Sequence, residues 1–317
     1  MNRSKHRILI TGANGQLGRE LTRVFLSLGR VIPTAVHADG ERVLPLDLAN
    51  PDNIRRVLDD VRPTLIINAA AYTAVDQAED DIATADAING IAPGLLAEQA
   101  RAYGACLIHY STDYVFDGCK NAPYTEIDPP SPINAYGRTK LAGEHAVAAG
   151  GGTHFIFRTS WLYSARGRNF LLTMLRLAQG STPMRIVDDQ HGAPTWARSV
   201  AELTGQIVAQ SLQQEAGWLE ERTGIYHVTA AESCSWYEFA RAILEQTGNH
   251  GALARLEPTT TAAYPLKAVR PAYSILDCER LWQTFGLRLG PWREALSLVT
   301  EDLQLQENAL VDDSPPS

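Results

Sequence analysis

Tyr136 and Lys140 are separated by Gly137-Arg138-Thr139, and a helix would set the two side chains on one face about 6 Å apart. A phenol and an ammonium at that spacing can act as a unit. The ammonium favours the phenolate, lowers the tyrosine pKa from its reference of about 10, and makes the phenol a usable proton donor near neutral pH. Taken alone, the spacing also fits an ordinary solvated helix face. Upstream, Ser111-Thr112-Asp113 adds hydroxyls and a carboxyl. Thr112 can donate a hydrogen bond to a carbonyl oxygen held beside Tyr136. Without the pair downstream, Ser111 and Thr112 would read as turn caps.

Those groups need elements to position them. Arg7-Ile8-Leu9-Ile10-Thr11 reads as a short buried strand that runs into Gly12-Ala13-Asn14-Gly15-Gln16-Leu17-Gly18 and then an amphipathic helix through Leu28. In a strand–turn–helix context, such glycines let the backbone approach a pyrophosphate seated on the helix N-terminus. The spacing is G-x-x-G-x-x-G. Residues 31–36 form the next strand, and its end, Thr34-Ala35-Val36-His37, offers no carboxylate to the adenosine ribose. The sequence therefore does not separate NADH from NADPH. A strand over 43–46 delivers Asp47 and Leu48; Asp47 can accept from an adenine amine or cap the helix that follows Pro51.

Leu65-Ile66-Ile67 is the apolar run of a central parallel strand, and it empties into Asn68-Ala69-Ala70-Ala71-Tyr72-Thr73, small residues against which a flat ligand can lie. A helix over 84–103 and a strand over 106–110 complete the alternation, the latter ending in the Ser-Thr-Asp triplet. A proline-bearing segment (Pro123, Pro129, Pro130, Pro132) joins it to Tyr136. Further on, 155–159 is a strand ending near Trp161, 169–179 a helix, 184–187 a strand, 194–212 a long helix, and 224–229 a strand returning to the main sheet. The helix over 236–247 places Trp236, Phe239, Ala240, Ile243 and Leu244 on one side, which reads as core. Residues 311–317 read as a disordered tail.

With 317 residues the chain can bury a large core, and its formal charge of −8 excludes the basic footprint of a nucleic-acid binder. No apolar run is long enough for a membrane span or for the core of a signal peptide. Cys106, Cys119, Cys234 and Cys278 lack a Cys-x-x-Cys pair and suit reduced thiols in a cytoplasm.

The glycine turn, the Asn-Ala-Ala-Ala strand end, the Ser-Thr-Asp strand end and the Tyr-x-x-x-Lys helix together resemble extended short-chain dehydrogenases/reductases acting on nucleotide sugars. More narrowly, residues 68–76, 109–116, Arg158-Thr159-Ser160-Trp161 and Asp189-Gln190-His191-Gly192-Ala193-Pro194-Thr195 resemble the dTDP-4-dehydrorhamnose reductase family. The resemblance runs to about residue 303. It implies an α/β chain with a Rossmann-like, doubly wound parallel sheet over 1–160, completed around 195–230. A smaller α/β substrate-binding domain would be formed by 161–194 and 231–310.

By the same resemblance, Tyr136 protonates the nascent alkoxide, Lys140 lowers its pKa and holds the nicotinamide ribose, and Thr112 hydrogen-bonds the reacting oxygen. Gly12, Gly15, Gln16, Leu17 and Gly18 would face the pyrophosphate of NADPH or NADH, with Asp47, Leu48, Ala71, Tyr72 and Thr73 along the cofactor. Ser111, Asp113, Trp161, Asn169, Gln190 and Arg270 would serve a small-molecule nucleotide sugar, with neither nucleic acid nor membrane as partner. The implied reaction is reduction of a C4 keto group, the last step in making dTDP-rhamnose for cell-surface polysaccharide. Sugar-nucleotide dehydratases carry a glutamate where Tyr114 stands, which favours reduction over elimination; an epimerase remains the neighbouring alternative. A non-catalytic alternative is the cofactor-binding regulatory subunit of methionine adenosyltransferase, which the chain also resembles. Some reductases of the family form a magnesium-bridged homodimer through glutamates. Glu20 matches one of those positions, but Arg198 stands at another, which argues against magnesium and that dimer.

Overall fold

The structure, a computed structural model, describes residues 6–37 and 42–312. Five segments of the first half alternate as expected for a parallel sheet. Strand β1 (Arg7–Thr11) leads through the glycine turn into α1 (Gln16–Phe25), which buries Leu17, Leu21 and Phe25 at helical spacing. Next come β2 (Arg30–Ala35), the two-residue β3 (Leu44–Pro45) and α2 (Pro51–Val61). Asn50 caps α2, its side chain accepting from the Asn53 amide, with Pro51 in the first turn. Asp47 is therefore not the helix cap; its Oδ1 accepts from the Ala49 amide instead.

Every residue of β4 (Leu65–Asn68) is buried, because helices cover both faces of the sheet. The helix expected over 84–103 starts earlier, as α3 (Ile82–Asp86), and continues through one π turn (Ala87–Ile91) into α4 (Ala92–Tyr103). The π turn carries Asn89 inward. Its Oδ1 accepts from the Tyr72 amide at 2.9 Å, and its Nδ2 donates to the Tyr72 carbonyl at 3.0 Å, so the loop after β4 is held on both sides. Strand β5 (Cys106–Thr112) is wholly buried and longer than expected. Helix α5 (Ala135–Ala149) is capped by Asn134, which accepts from the Gly137 amide, and β6 (His154–Thr159) follows.

The second half contains β7 (Leu162–Tyr163), α6 (Phe170–Ala178), β8 (Met184–Val187), β9 (His191–Gly192), β10 (Thr195–Trp196) and α7 (Ala197–Ser211). Helix α7 does not begin at Pro194 as expected, because Thr195 and Trp196 pair in parallel with Leu162 and Tyr163. There follow β11 (Gly224–His227), β12 (Cys234–Ser235), α8 (Trp236–Gln246), α9 (His250–Leu253), β13 (Leu256–Thr259), α10 (Glu279–Phe285) and α11 (Trp292–Asp312). Because α11 reaches Asp312, the first two residues of the expected disordered tail are helical, and 313–317 lie outside the described residues.

The main sheet has the order β11-β6-β5-β4-β1-β2-β3, parallel throughout. From β1 the strands are added outward to β3 on one side and from β4 to β11 on the other, so the strand order switches between β1 and β4, and open parallel sheets bind ligands at the carboxyl ends beside such a switch. One apolar core joins the sheet to α1 and α7, and another joins its opposite face to α2 and α4. A further core of Tyr163, Leu171, Phe239, Ile243 and Trp292 gathers α6, α8 and α11.

Candidate active site

The carboxyl ends of β1, β4, β5 and β6 open into a cleft of about 660 Å³. Its floor on the β1 side is the glycine turn. Gly12 has φ +65° and abuts Ala70, where a Cβ would lie 2.8 Å from the Ala70 Cα. At Gly18 a Cβ would fall 2.1 Å from the Gly12 carbonyl oxygen, so α1 can pack on the turn only with glycine there. Gly15 caps α1 without a side-chain hydrogen bond, leaving the helix N-terminus available to an anion. Gly12, Gly15, Gln16, Leu17, Ala71 and Thr73 all line the cleft.

Thr112, Tyr136 and Lys140 meet at the far wall. Thr112 Oγ1 donates to Asp113 Oδ1 at 3.0 Å and accepts from the Tyr114 amide at 3.2 Å. Tyr136 stays partly open to the cleft and meets the Tyr114 ring edge-on at 5.9 Å. Burial pushes the Tyr136 phenol up to about 12, the Thr112 hydroxyl opposes that, and the Asp113 charge adds to it. Lys140 is buried and brought down to about 8 by the same loss of water, against the favourable charge of Glu144. Its Nζ donates to the Tyr110 carbonyl at 2.6 Å. The expected lowering of the Tyr136 pKa by Lys140 is thus not found, because desolvation dominates and the amine is directed to a backbone oxygen.

Asp113 is 2% exposed. Burial raises its pKa to about 6, while the neighbouring hydroxyls of Ser274, Thr112 and Ser160 hold it down; Thr112 donates to Oδ1, and Oδ2 has no hydrogen-bond partner among the described residues. Trp161 adopts φ +45° and stacks on Trp236 with 3.5 Å between ring centroids and planes 7° apart. Gly192 makes room for it, since a Cβ there would lie 2.5 Å from Trp161 Cε2.

Several expected contacts are engaged elsewhere. Ser111 donates to Glu144 Oε1 at 2.5 Å inside a buried ion pair with Arg158, so its hydroxyl is not free for a substrate. Asn169 caps α6, and its Nδ2 donates to Gln16 Oε1, the Ser164 carbonyl and the Arg166 carbonyl. Gln190 is buried and donates to Thr261 Oγ1, away from the cleft. Arg270 grips Asp76 through two bonds of 2.8 and 2.6 Å, so its charge is already matched. Tyr72 turns its hydroxyl to Asp81. Leu48 is core, and Asp47 lies outside the cleft.

Asn14, Val75, Ser160 and Arg168 also line the cleft; the first three lie within motifs of the sequence without an assigned role, and Arg168 lies in none. Trp236 corrects the core reading of its helix. It lines the cleft behind Trp161, while Phe239, Ala240, Ile243 and Leu244 are buried. Nearby, Arg198 pairs with Glu20 at 3.3 Å and Asp302 at 3.0 Å, a fixed cation between the two carboxylates.

The family described as the RmlD substrate binding domain matches residues 6–305. A dTDP-4-dehydrorhamnose reductase of Burkholderia thailandensis is 47% identical over 305 residues, covering 95% of this chain and all of that one. The crystal structure of a dTDP-4-dehydrorhamnose reductase from Clostridium acetobutylicum superposes with a TM-score of 0.84 at 38% identity, over 94% of this chain and 99% of that one. The reductase of Bacillus anthracis, solved in complex with NADP, gives 0.83 at 35% identity, with the same coverages. The chain belongs to the dTDP-4-dehydrorhamnose reductase family.

Proposed function

We propose that this chain reduces the C4 keto group of dTDP-4-dehydro-L-rhamnose to give dTDP-L-rhamnose, with NADPH or NADH as reductant. The observation that carries this reading is the convergence of Thr112, Tyr136 and Lys140 in one cleft with an uncapped glycine turn. The nicotinamide, when bound, supplies a hydride; the protein supplies orientation and a proton.

Thr112 turns its hydroxyl hydrogen from Asp113 Oδ1 to the carbonyl oxygen and holds that oxygen at Tyr136. As negative charge grows on that oxygen, the Tyr136 phenol delivers its proton, and an ammonium at Lys140 favours the phenolate left behind. Lys140 must turn from the Tyr110 carbonyl to the nicotinamide ribose for this, a change that cofactor binding would drive. Trp161 offers an apolar wall to the sugar ring. Elimination of water is disfavoured because Tyr114, burial-raised far above neutral pH, stands where a second acid would be required.

Purified protein with the 4-keto sugar nucleotide should oxidise NADPH or NADH mole for mole. Turnover without net cofactor consumption would instead indicate an epimerase or dehydratase. Tyr136→Phe should lose about 10²–10⁴-fold in kcat while still binding cofactor; unchanged turnover would overturn the role given to Tyr136, and a wild type that binds cofactor without oxidising it would favour the regulatory-subunit reading.

Among the described residues no helix is long and apolar enough to cross a membrane. We place the chain in the cytoplasm, with a homodimer as the assembly to test by sedimentation. Magnesium forms no part of this reading, since Arg198 already answers Glu20 and Asp302.

A further inference from the structure

Thr11, Asn68 and His109 occupy facing register positions on β1, β4 and β5, each at most 1% exposed. None of them lines the cleft. Thr11 Oγ1 lies 2.6 Å from Asn68 Oδ1, Asn68 Nδ2 lies 3.0 Å from His109 Nδ1, and His109 Nε2 lies 3.4 Å from Lys140 Nζ. A buried polar chain thus ends on the lysine that the proposed reduction uses.

Its direction follows from the distances. A separation of 2.6 Å fits an O–H···O bond and is short for N–H···O, so Asn68 turns its oxygen to Thr11 and its amide nitrogen to His109. Thr11 Oγ1 also accepts from the Ala70 amide, which leaves its hydrogen for Asn68. An amide donor requires an acceptor at His109 Nδ1. Burial, together with the Lys140 charge, holds His109 well below its ordinary pKa, so the ring is neutral and carries its one hydrogen on Nε2, facing Lys140. Such a donor suits the lone pair of a free amine and repels an ammonium.

Other groups face the same amine. The Tyr110 carbonyl of β5 accepts from it; on α5, Tyr136 lies one turn before and Glu144 one turn after. Glu144 favours the ammonium, but its charge is answered by Arg158 of β6 and by the Ser111 hydroxyl. Asp113 and Tyr114, beyond β5, bear on Tyr136.

We propose that His109 is a positioning residue for the reduction: locked by Thr11 and Asn68 with its Nε2–H toward Lys140, it favours the free amine and sets the pH above which Lys140 stops supporting Tyr136. The inference rests on the reductase reading for its kinetic consequence and on hydrogen-bond order alone for its structural one. An ammonium is needed for turnover, so activity falls as pH rises through the Lys140 pKa. Removing the donor raises that pKa and moves the basic limb of kcat/KM upward.

The test is a pH profile of kcat/KM for the wild type, His109→Leu, His109→Gln and Thr11→Val, each checked for folding by a thermal melt. His109→Leu should shift the basic limb up by about one pH unit. His109→Gln should keep the wild-type limb, because an amide reproduces the acceptor-then-donor order. Thr11→Val, remote from Lys140, frees Asn68 to turn over and should shift the limb in the same direction as His109→Leu. Folded His109→Leu and Thr11→Val with unshifted limbs would overturn the proposal. Nitrogen NMR of His109 provides a readout independent of turnover: Nε2–H is expected, and Nδ1–H would overturn the assignment even if the wild type proved inactive on every 4-keto sugar. Wild-type inactivity with the Nε2–H tautomer present would count against the reductase reading alone.

Discussion

Asp113 carries a carboxyl with almost no exposure and one oxygen unpaired among the described residues, and burial lifts its pKa from 3.8 to about 6. Because the folded value lies above the unfolded one, the folded state holds this proton more tightly. That stabilisation is complete below about pH 4 and is lost as pH rises through about 6. At pH 7 the ionised side chain costs stability on the order of 3 kcal/mol. Asp113→Asn keeps the size and removes the charge. Its denaturation midpoint should exceed that of the wild type above pH 6 and match it near pH 4, while turnover drops, the usual exchange of stability for a working site. Equal midpoints at pH 7 would show that the carboxylate is better solvated than its burial indicates. The residue types at this wall were legible in the sequence, since Thr112, Asp113, Tyr136 and Lys140 sit in dense local patterns. Their electrostatics were not: whether Lys140 or desolvation governs Tyr136 depends on how much water the fold leaves, which no spacing reveals.

At the scale of elements, α5 has to hold Tyr136 and Lys140 against the sheet, and Glu144 ties it there through a buried pair with Arg158 of β6 and a bond from Ser111 of β5. Arg158 donates to Glu144 through Nε at 2.9 Å and through Nη2 at 2.7 Å, and Ser111 of β5 adds a third bond. Removing one partner leaves an uncompensated buried charge. Arg158→Met should therefore cost about 3–5 kcal/mol in urea denaturation, whereas the double variant Arg158→Met, Glu144→Leu should recover most of the loss. If the double variant is as unstable as the single one, the pair contributes specific bonds that apolar packing cannot replace. The elements themselves were largely readable, because buried parallel strands are apolar runs ending at glycine, serine or asparagine. Helix α7 was misplaced by three residues because Thr195 and Trp196 pair with Leu162 and Tyr163, a tertiary contact between two-residue strands that leaves no periodicity. Likewise Trp236 shares a helical face with Phe239 and Ile243, yet its position at the start of α8 puts it beside Trp161 at the cleft.

The proposed reaction requires the glycine turn and the segment of residues 164–169 across the cleft to hold one relative position, and Gln16 joins them. Its Oε1 accepts from Ser164 Oγ at 3.1 Å and from Asn169 Nδ2 at 2.8 Å, and its Nε2 donates to the Arg168 carbonyl at 3.4 Å. From the sequence, Gln16 and Asn169 read as separate contacts, one to the cofactor and one to the sugar nucleotide. Their 153-residue separation hides that they bond to each other. Each such bond contributes about 0.5–1.5 kcal/mol net, so Gln16→Ala forfeits enough preorganisation to weaken binding roughly tenfold. Because Gln16 is only half-buried, the melting temperature should hardly change. The loss should fall on KM for cofactor and for sugar nucleotide together, with kcat little altered, since Gly167 and Arg168 line the one cleft that the proposed reaction gives to both. Asn169→Ala should weaken both ligands in the same way and add little to Gln16→Ala when the two are combined. If Gln16→Ala raises KM for the cofactor alone, the side chain is a local phosphate contact, and the two sides of the cleft keep their positions without it.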